Sequence, residues 1–410
     1  MRGKFLAAVA AFAMAAPLLV SGIASAATGP VVPVTQFGMT VNALGGGVPI
    51  PAGIGTTRLW DVNARWDQVE TSRGVYNWAP LDAAVSRAWG AGIRDIMYVM
   101  GGTPRWASVP SPAESGDLYG PGTASHPASD TYYLEFLSAV LNRYRTHITS
   151  YELWNEPNLP MFYRGTPTQL ANLSLEAYRL IKSTSWKPQV ASPSWLLRYW
   201  IPNREAQLQA LKKVGWPFDA FAVHGYPYTE QGADSRMALL NAFRARTIAL
   251  GAKKPIWDTE VNFGSTAAGF KYKVYTGLPA AGLVARGYID SLRSGVAKTY
   301  WYSWDAHFMG IQMTDSTGRW TTAAVAFRTI RSWLVGNHFN GCTTARGVTQ
   351  CAISSVRGSK RTIVFTSALT VRSVVPRRAT TVCSLDGKCR KATPGTAINL
   401  FPWAQMFIGA

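Results

Sequence analysis

Cysteine is missing from the first 341 residues; all four stand near the C-terminal end, at Cys342, Cys351, Cys383 and Cys389. Most of the chain therefore has no thiolate nucleophile and no cysteine-ligated metal. Histidine is scarce too. His126, His147, His224, His307 and His338 form no spaced cluster, so neither a catalytic metal nor another cofactor is expected. No G-x-S-x-G turn occurs, which disfavours serine hydrolysis. Gly53-x-Gly55 lacks the third glycine of a dinucleotide-binding turn, because Arg58 stands there. Acids are few, with 22 Asp and Glu against 41 Lys and Arg and a net charge of +19. After the first thirty residues no apolar run approaches the ~18 needed to cross a bilayer.

The chain does have a leader-like start. Arg2 and Lys4 precede a charge-free apolar run from Phe5 to Val20, and Ala24-Ser25-Ala26 is a small-x-small site. Residues 1–26 read as a secretory signal peptide cut near Ala26, which predicts a secreted or cell-wall-associated protein. Export makes disulfides possible. The pairings Cys342–Cys351 and Cys383–Cys389 are favoured because each closes a hairpin-sized loop. The remaining charge is uneven: residues 337–410 carry ten Lys and Arg against one acid, Asp386. Such a tail suits either a solvated face or contact with an anionic cell-wall polymer; no motif points to a specific nucleic acid.

Eight strand-length apolar runs recur: Phe37–Asn42, Thr56–Asp61, Arg94–Gly101, Tyr151–Glu156, Gln189–Ser194, Ala220–Tyr226, Pro255–Val261 and Lys298–Trp304. Amphipathic helical patterns separate most of them. Strand alternating with helix implies parallel pairing, and eight rounds in about 300 residues imply a closed (β/α)8 barrel over residues 27–336. An open doubly wound sheet is the alternative, and it would need the phosphate turn that is missing. Residues 337–410 change to short β-like segments and predict a small, basic β-sandwich. The stretch Thr103–Ser129, rich in Pro, Gly and Ser, follows strand three and should lie over the barrel's C-terminal face.

Barrel chemistry sits at the C-terminal ends of strands. Strand four ends Trp154-Asn155-Glu156-Pro157-Asn158, and strand seven ends Asp258-Thr259-Glu260-Val261-Asn262. Each brings a carboxylate to the same rim. Strand alternation predicts that Glu156 shares a face with Trp154 while Asn155 turns outward, and that Glu260 shares a face with Asp258. Two rim carboxylates about 5–5.5 Å apart are what a retaining glycosidase needs: one attacks the anomeric carbon and the other moves the proton. Glu152 and Asp258 read as supporting acids.

These segments resemble clan A glycoside hydrolases. By that resemblance Glu156 is the acid/base, Asn155 binds the hydroxyl beside the anomeric carbon, and Glu260 is the nucleophile. Thr57-Arg58-Leu59-Trp60-Asp61 resembles the strand-two segment whose arginine supports the nucleophile, which assigns Arg58. Val223-His224-Gly225-Tyr226 resembles the strand-six segment that borders the two acids, which assigns His224 and Tyr226. Tyr302-Ser303-Trp304-Asp305 resembles strand eight, with Trp304 flooring the sugar subsite. Trp66 with Gly74-Val75-Tyr76-Asn77-Trp78, and Thr103-Pro104-Arg105-Trp106-Ala107, resemble family 39 and its relatives. Trp106, Trp195, Trp200 and Trp320 are further candidates for stacking on sugar.

The expected function is hydrolysis of a polysaccharide or glycoconjugate with retention of configuration. The rival is a non-catalytic carbohydrate-binding or wall-associated protein on the same barrel.

Overall fold

The computed structural model describes residues 29–410 apart from Trp200, Ala368 and Ala410. The expected leader over residues 1–26 and the candidate Trp200 lie outside the described residues. Eight parallel strands form the main body: β1 (Phe37–Met39), β2 (Thr56–Leu59), β3 (Asp95–Val99), β4 (Ser150–Glu152), β5 (Gln189–Ala191), β6 (Phe221–His224), β7 (Ile256–Val261) and β8 (Val296–Trp301). Their order is β5-β4-β3-β2-β1-β8-β7-β6, and a ninth, two-residue strand, Trp195–Leu196, pairs in parallel beside β6. The ring closes between β5 and β6. Ala191 pairs in parallel with Ala220, and the Val190 carbonyl accepts from the Asp219 and Ala220 amides at 2.7 and 3.2 Å. The result is a (β/α)8 barrel, whose closure leaves no sheet edge to protect.

Parallel strands in such a fold are covered on both faces, which is why they read as continuous apolar runs; β7 is buried along its whole length. Met97, Ala191, Ala220, Ala222, Trp257 and Tyr300 pack together as one buried cluster. The alanines leave room for the two large rings. Seven long helices follow β2 to β8: α1 (Ala79–Gly90), α2 (Asp130–Tyr144), α3 (Pro167–Ser183), α4 (Ile201–Lys213), α5 (Ala233–Ala249), α6 (Gly277–Arg293) and α7 (Thr322–Leu334). The start of α3 is set locally: Thr166 and Gln169 form a capping box and Pro167 opens the helix. Its stripe Leu170, Leu173, Ala177 and Ile181 is buried. After β1 there is only a 3-10 turn, Leu44–Gly46. Three consecutive glycines followed closely by Pro49 leave no helix-forming sequence there.

Residues after α7 turn antiparallel. The strands β9 (Asn337–Ala345), β10 (Val348–Ser355), β11 (Lys360–Thr366), β12 (Val371–Val374), β13 (Thr381–Cys383), β14 (Cys389–Lys391), β15 (Ala397–Leu400) and β16 (Gln405–Ile408) make a six-stranded sheet and the two-stranded ribbon β12-β15. The sheet order is β9-β10-β11-β16-β13-β14. Val348, Val364, Val382 and Phe407 of the sheet share a small core with Ile398 and Leu400 of the ribbon. The sheet also meets the barrel: the Arg286 guanidinium of α6 lies 4.5 Å from the Phe365 ring. Disulfides join Cys342 to Cys351 and Cys383 to Cys389. In each case the two residues are direct partners across an antiparallel pair, so the bridge spans one hairpin.

Candidate active site

At the C-terminal rim the fully buried Arg58 of β2 is the hub. Its Nη2 donates to Glu152 Oε1 at 2.6 Å and to Asn155 Oδ1 at 2.7 Å, its Nε to Glu152 Oε2 at 3.3 Å, and its Nη1 to Glu260 Oε1 at 2.5 Å. Glu152 is thus a structural counter-ion beneath the site. Asp61, the partner that proximity in sequence would suggest for Arg58, instead accepts from Tyr302 Oη at 2.6 Å and Tyr119 Oη at 2.8 Å.

Glu156 and Glu260 meet at His224. The imidazole Nδ1 lies 2.7 Å from Glu156 Oε1 and 3.5 Å from Glu260 Oε2. One oxygen of each carboxylate and a nitrogen of His224 all fall within 4.8 Å of one another. Tyr226 Oη donates to Glu260 Oε2 at 2.8 Å. Five of the candidates named from the sequence thereby surround Glu260: Arg58, His224 and Tyr226 directly, Glu156 through His224 and Asn155 through Arg58.

The backbone reaches this arrangement against simple alternation. β4 ends at Glu152, and Glu156 adopts φ 44°, in the left-handed region that non-glycine residues seldom occupy. Its amide donates to Ser194 Oγ at 3.3 Å. Trp154 faces away, stacked on Tyr133 of α2, while Asn155 turns in toward Arg58. The expected sharing of a face by Trp154 and Glu156, with Asn155 outward, is corrected accordingly. On β7 a register irregularity falls between Asp258 and Glu260. Asp258 therefore points outward to Arg236 of α5, and Glu260 points into the site. A Cβ at Gly225 would meet Asp258 Oδ2 at 2.4 Å; only glycine lets its amide donate to that carboxylate, at 2.8 Å.

Electrostatics follow from burial and these contacts. Burial pushes the Glu260 carboxyl above its ordinary pKa and Glu156 adds to this, while His224 and Arg58 pull it back. Burial disfavours charge on His224, but Glu260 and Glu156 outweigh it and raise its pKa. The Tyr226 phenol is pushed far up by burial and by Glu260, so it remains a donor. For Arg58 burial acts downward, and the charges of Glu152 and Glu260 more than offset it.

Glu156, His224 and Glu260 have the donor types of a cation site. Here, however, Nδ1 already serves the carboxylates as a hydrogen-bond partner, and Arg58 occupies one side of Glu260. A metal would have to displace the first and bear repulsion from the second.

The aromatic candidates divide. Trp304 is buried and meets Trp320 edge-on, 5.5 Å between ring centroids. Trp195 is buried and bonds Gln207 of α4 at 2.8 Å. Trp106 packs against Trp66 and Tyr132, and its indole N–H donates to the Glu70 carbonyl at 3.0 Å. Its contacts lie with the outer helical layer and not with the carboxylates. Sequence reading passed over Tyr302, whose ring belongs with Tyr226, Leu159, Leu196 and Met309 to one apolar cluster at the rim. It also passed over Tyr119 from the long loop after β3, which receives the Trp60 indole N–H at 3.0 Å and carries the Arg65 guanidinium 3.9 Å from its ring centroid. Tyr302 stood in the strand-eight segment but was given no role there, and the signal for Tyr119 was its position in that loop.

No protein-family model matches the chain, and no curated protein matches it in sequence. Solved structures do match in fold. A family 39 glycoside hydrolase from Bacteroides cellulosilyticus WH2 superimposes with a TM-score of 0.69 at 17% identity, covering 92% of this chain and 81% of that one. A glucosidase from Croceicoccus marinus gives 0.64 at 14% identity, with 93% and 97% covered. A family 30 endoxylanase from Clostridium papyrosolvens C71 gives 0.60 at 16% identity, again with 93% and 97% covered. At these identities the likeness is one of fold.

Proposed function

We propose that the chain is a retaining glycoside hydrolase acting on a polysaccharide or glycoconjugate, with Glu156 as acid/base and Glu260 as nucleophile. The observation that carries this reading is the approach of the two carboxylates within 4.8 Å at the rim, held by one imidazole. Carboxylate oxygens this close favour the short spacing of a retaining pair over the wider spacing that inversion requires. The clan A resemblance of the surrounding motifs and the fold shared with glycoside hydrolases support it.

The chemistry divides among the residues. A Glu260 oxygen attacks the anomeric carbon, the bond to the leaving oxygen breaks, and Glu156 gives that oxygen its proton. Glu156 then takes a proton from water, whose oxygen attacks the same carbon and frees Glu260. Arg58 and Tyr226 each donate to Glu260 and favour its ionised form, against the burial that opposes it. Asn155 commits only its oxygen, to Arg58, so its amide N–H groups remain to bind the hydroxyl beside the anomeric carbon. Trp304 and Trp106 are proposed only as supports, since both rings are committed to other aromatic rings.

The test is a polysaccharide panel read by new reducing ends, wild type against Glu260→Ala. Release by wild type alone is expected. Equal release by both proteins would refute the assignment.

A second reading concerns the tail. Lys388, Arg390 and Lys391 stand exposed on and beside the edge strand β14, and we propose that they hold an anionic wall polymer. Secretion belongs to the same reading.

A further inference from the structure

Arg198 stands between β5 and α4, two residues past the short strand Trp195–Leu196, and takes no part in the hub around Arg58. Its segment is fixed: the Leu197 amide donates to the His224 carbonyl at 3.2 Å, and Tyr228 Oη donates to the Arg198 carbonyl at 2.9 Å. Its half-buried guanidinium lies among aromatic faces, 5.0 Å from the Tyr199 ring centroid and 5.7 Å from those of Tyr226 and Phe270. Tyr226 is the ring whose hydroxyl holds Glu260. Arg198 is thus one side chain from the reacting carboxylates.

A guanidinium out of full contact with water normally has an acid partner, because losing hydration is costly. This one has none within ion-pair distance among the described residues. Of its five N–H donors one meets the Pro227 carbonyl, and Nε is buried without a partner. The nearest charges do not fill the gap. Glu156 acts on it from a distance, and Glu230 is exposed, bonded to Thr229 and faced also by Lys271. The rings around it supply cation–π attraction but use no donor. Nη2 and the second Nη1 proton have no partner among the described residues, which leaves an end-on pair of donors for a two-oxygen anion.

We propose that Arg198 receives the carboxylate of a uronic-acid residue bound at the rim beside Tyr226, so that the substrate is an acidic polysaccharide. This inference rests on the glycosidase reading for the meaning of the cleft.

The test uses three probe sets: oligosaccharides of alternating glucuronic acid and neutral hexose, the same after carboxyl reduction, and sulfate-esterified neutral counterparts. Wild type, Arg198→Met and Arg198→Lys are compared, with melting curves as a folding check; methionine keeps the packed stem. Wild type should prefer the uronate set over the reduced set by about 10- to 100-fold in kcat/KM, the scale of a charge-assisted hydrogen-bonded pair. Arg198→Met should lose that preference and Arg198→Lys retain part of it. Equal treatment of uronate and reduced sets by wild type, a preference kept by Arg198→Met, or a preference confined to the sulfated set would each overturn the assignment. If wild type cleaves none of the sets, the hydrolase reading is decided by the polysaccharide panel, and calorimetric binding of the uronate and reduced sets to wild type and Arg198→Met decides the role of Arg198 on the same criteria.

Discussion

Replacing Arg58 by methionine tests the hub most severely. The side chain is fully buried, as is that of Glu152 beneath it, and Glu260 is nearly so. Methionine fills much of the volume but leaves both carboxylates and Asn155 without their common donor. Removing one member of a buried pair typically costs about 3–5 kcal/mol, because the other charge stays buried and unpaired. Against a total stability of about 5–15 kcal/mol this is a large fraction. Neutralising Glu152 in the double variant Arg58→Met/Glu152→Gln removes one of the two orphaned charges and should recover about 1–3 kcal/mol through the coupling between them. Urea unfolding followed by tryptophan fluorescence, with the disulfides intact, reads both quantities. Hydrolysis should remain lost in the double variant, since Glu260 still lacks its guanidinium. A single variant within about 1 kcal/mol of wild type, or a double variant no more stable than the single, would refute the view that Arg58 neutralises buried acids.

Other consequences are separable. Glu156→Ala should slow substrates with poor leaving groups by about 100- to 10,000-fold and activated aryl glycosides far less, and equal losses in steady-state assays would speak against proton donation. His224 has a raised pKa in the folded state, so its ion-pair contribution is full below its unfolded value of about 6.5 and is lost as pH rises through the folded value. The melting-temperature gap between wild type and His224→Asn should therefore be wider at about pH 5.5 than at about pH 8.5, and a gap that widens with pH would contradict the sign. Reversing charge with Arg390→Glu and Lys391→Glu, both on the exposed edge strand, should weaken retention on teichoic-acid-type anionic polymer without altering melting; unchanged retention would leave the tail charge as solvation alone.

Much of the scaffold could be read from pattern. Each of the eight barrel strands falls within or next to an apolar run named beforehand, because buried parallel strands cannot avoid such runs. Both disulfides join cysteines that face each other in one hairpin, which short loops favour. The exact aim of the acids was not readable. Alternation failed at Glu156, whose left-handed backbone is a local conformation with no composition signal, and at Glu260, where the irregularity after Asp258 reverses the facing of the strand end. Trp106 illustrates the opposite failure: an aromatic in a rim loop is as well suited to packing on Trp66 as to stacking on sugar. Arg198 gave no sign in the sequence, because an unpaired charge is visible only once every acid has been placed.

The account turns on whether Glu260 becomes covalently bonded to sugar. An activated 2-deoxy-2-fluoro glycoside of a sugar that the enzyme cleaves slows release of that intermediate, and peptide mapping by mass spectrometry then locates the label. One sugar per chain on the peptide carrying Glu260 is expected. A label on another carboxylate, or product released with inverted anomeric configuration and no label, would contradict it.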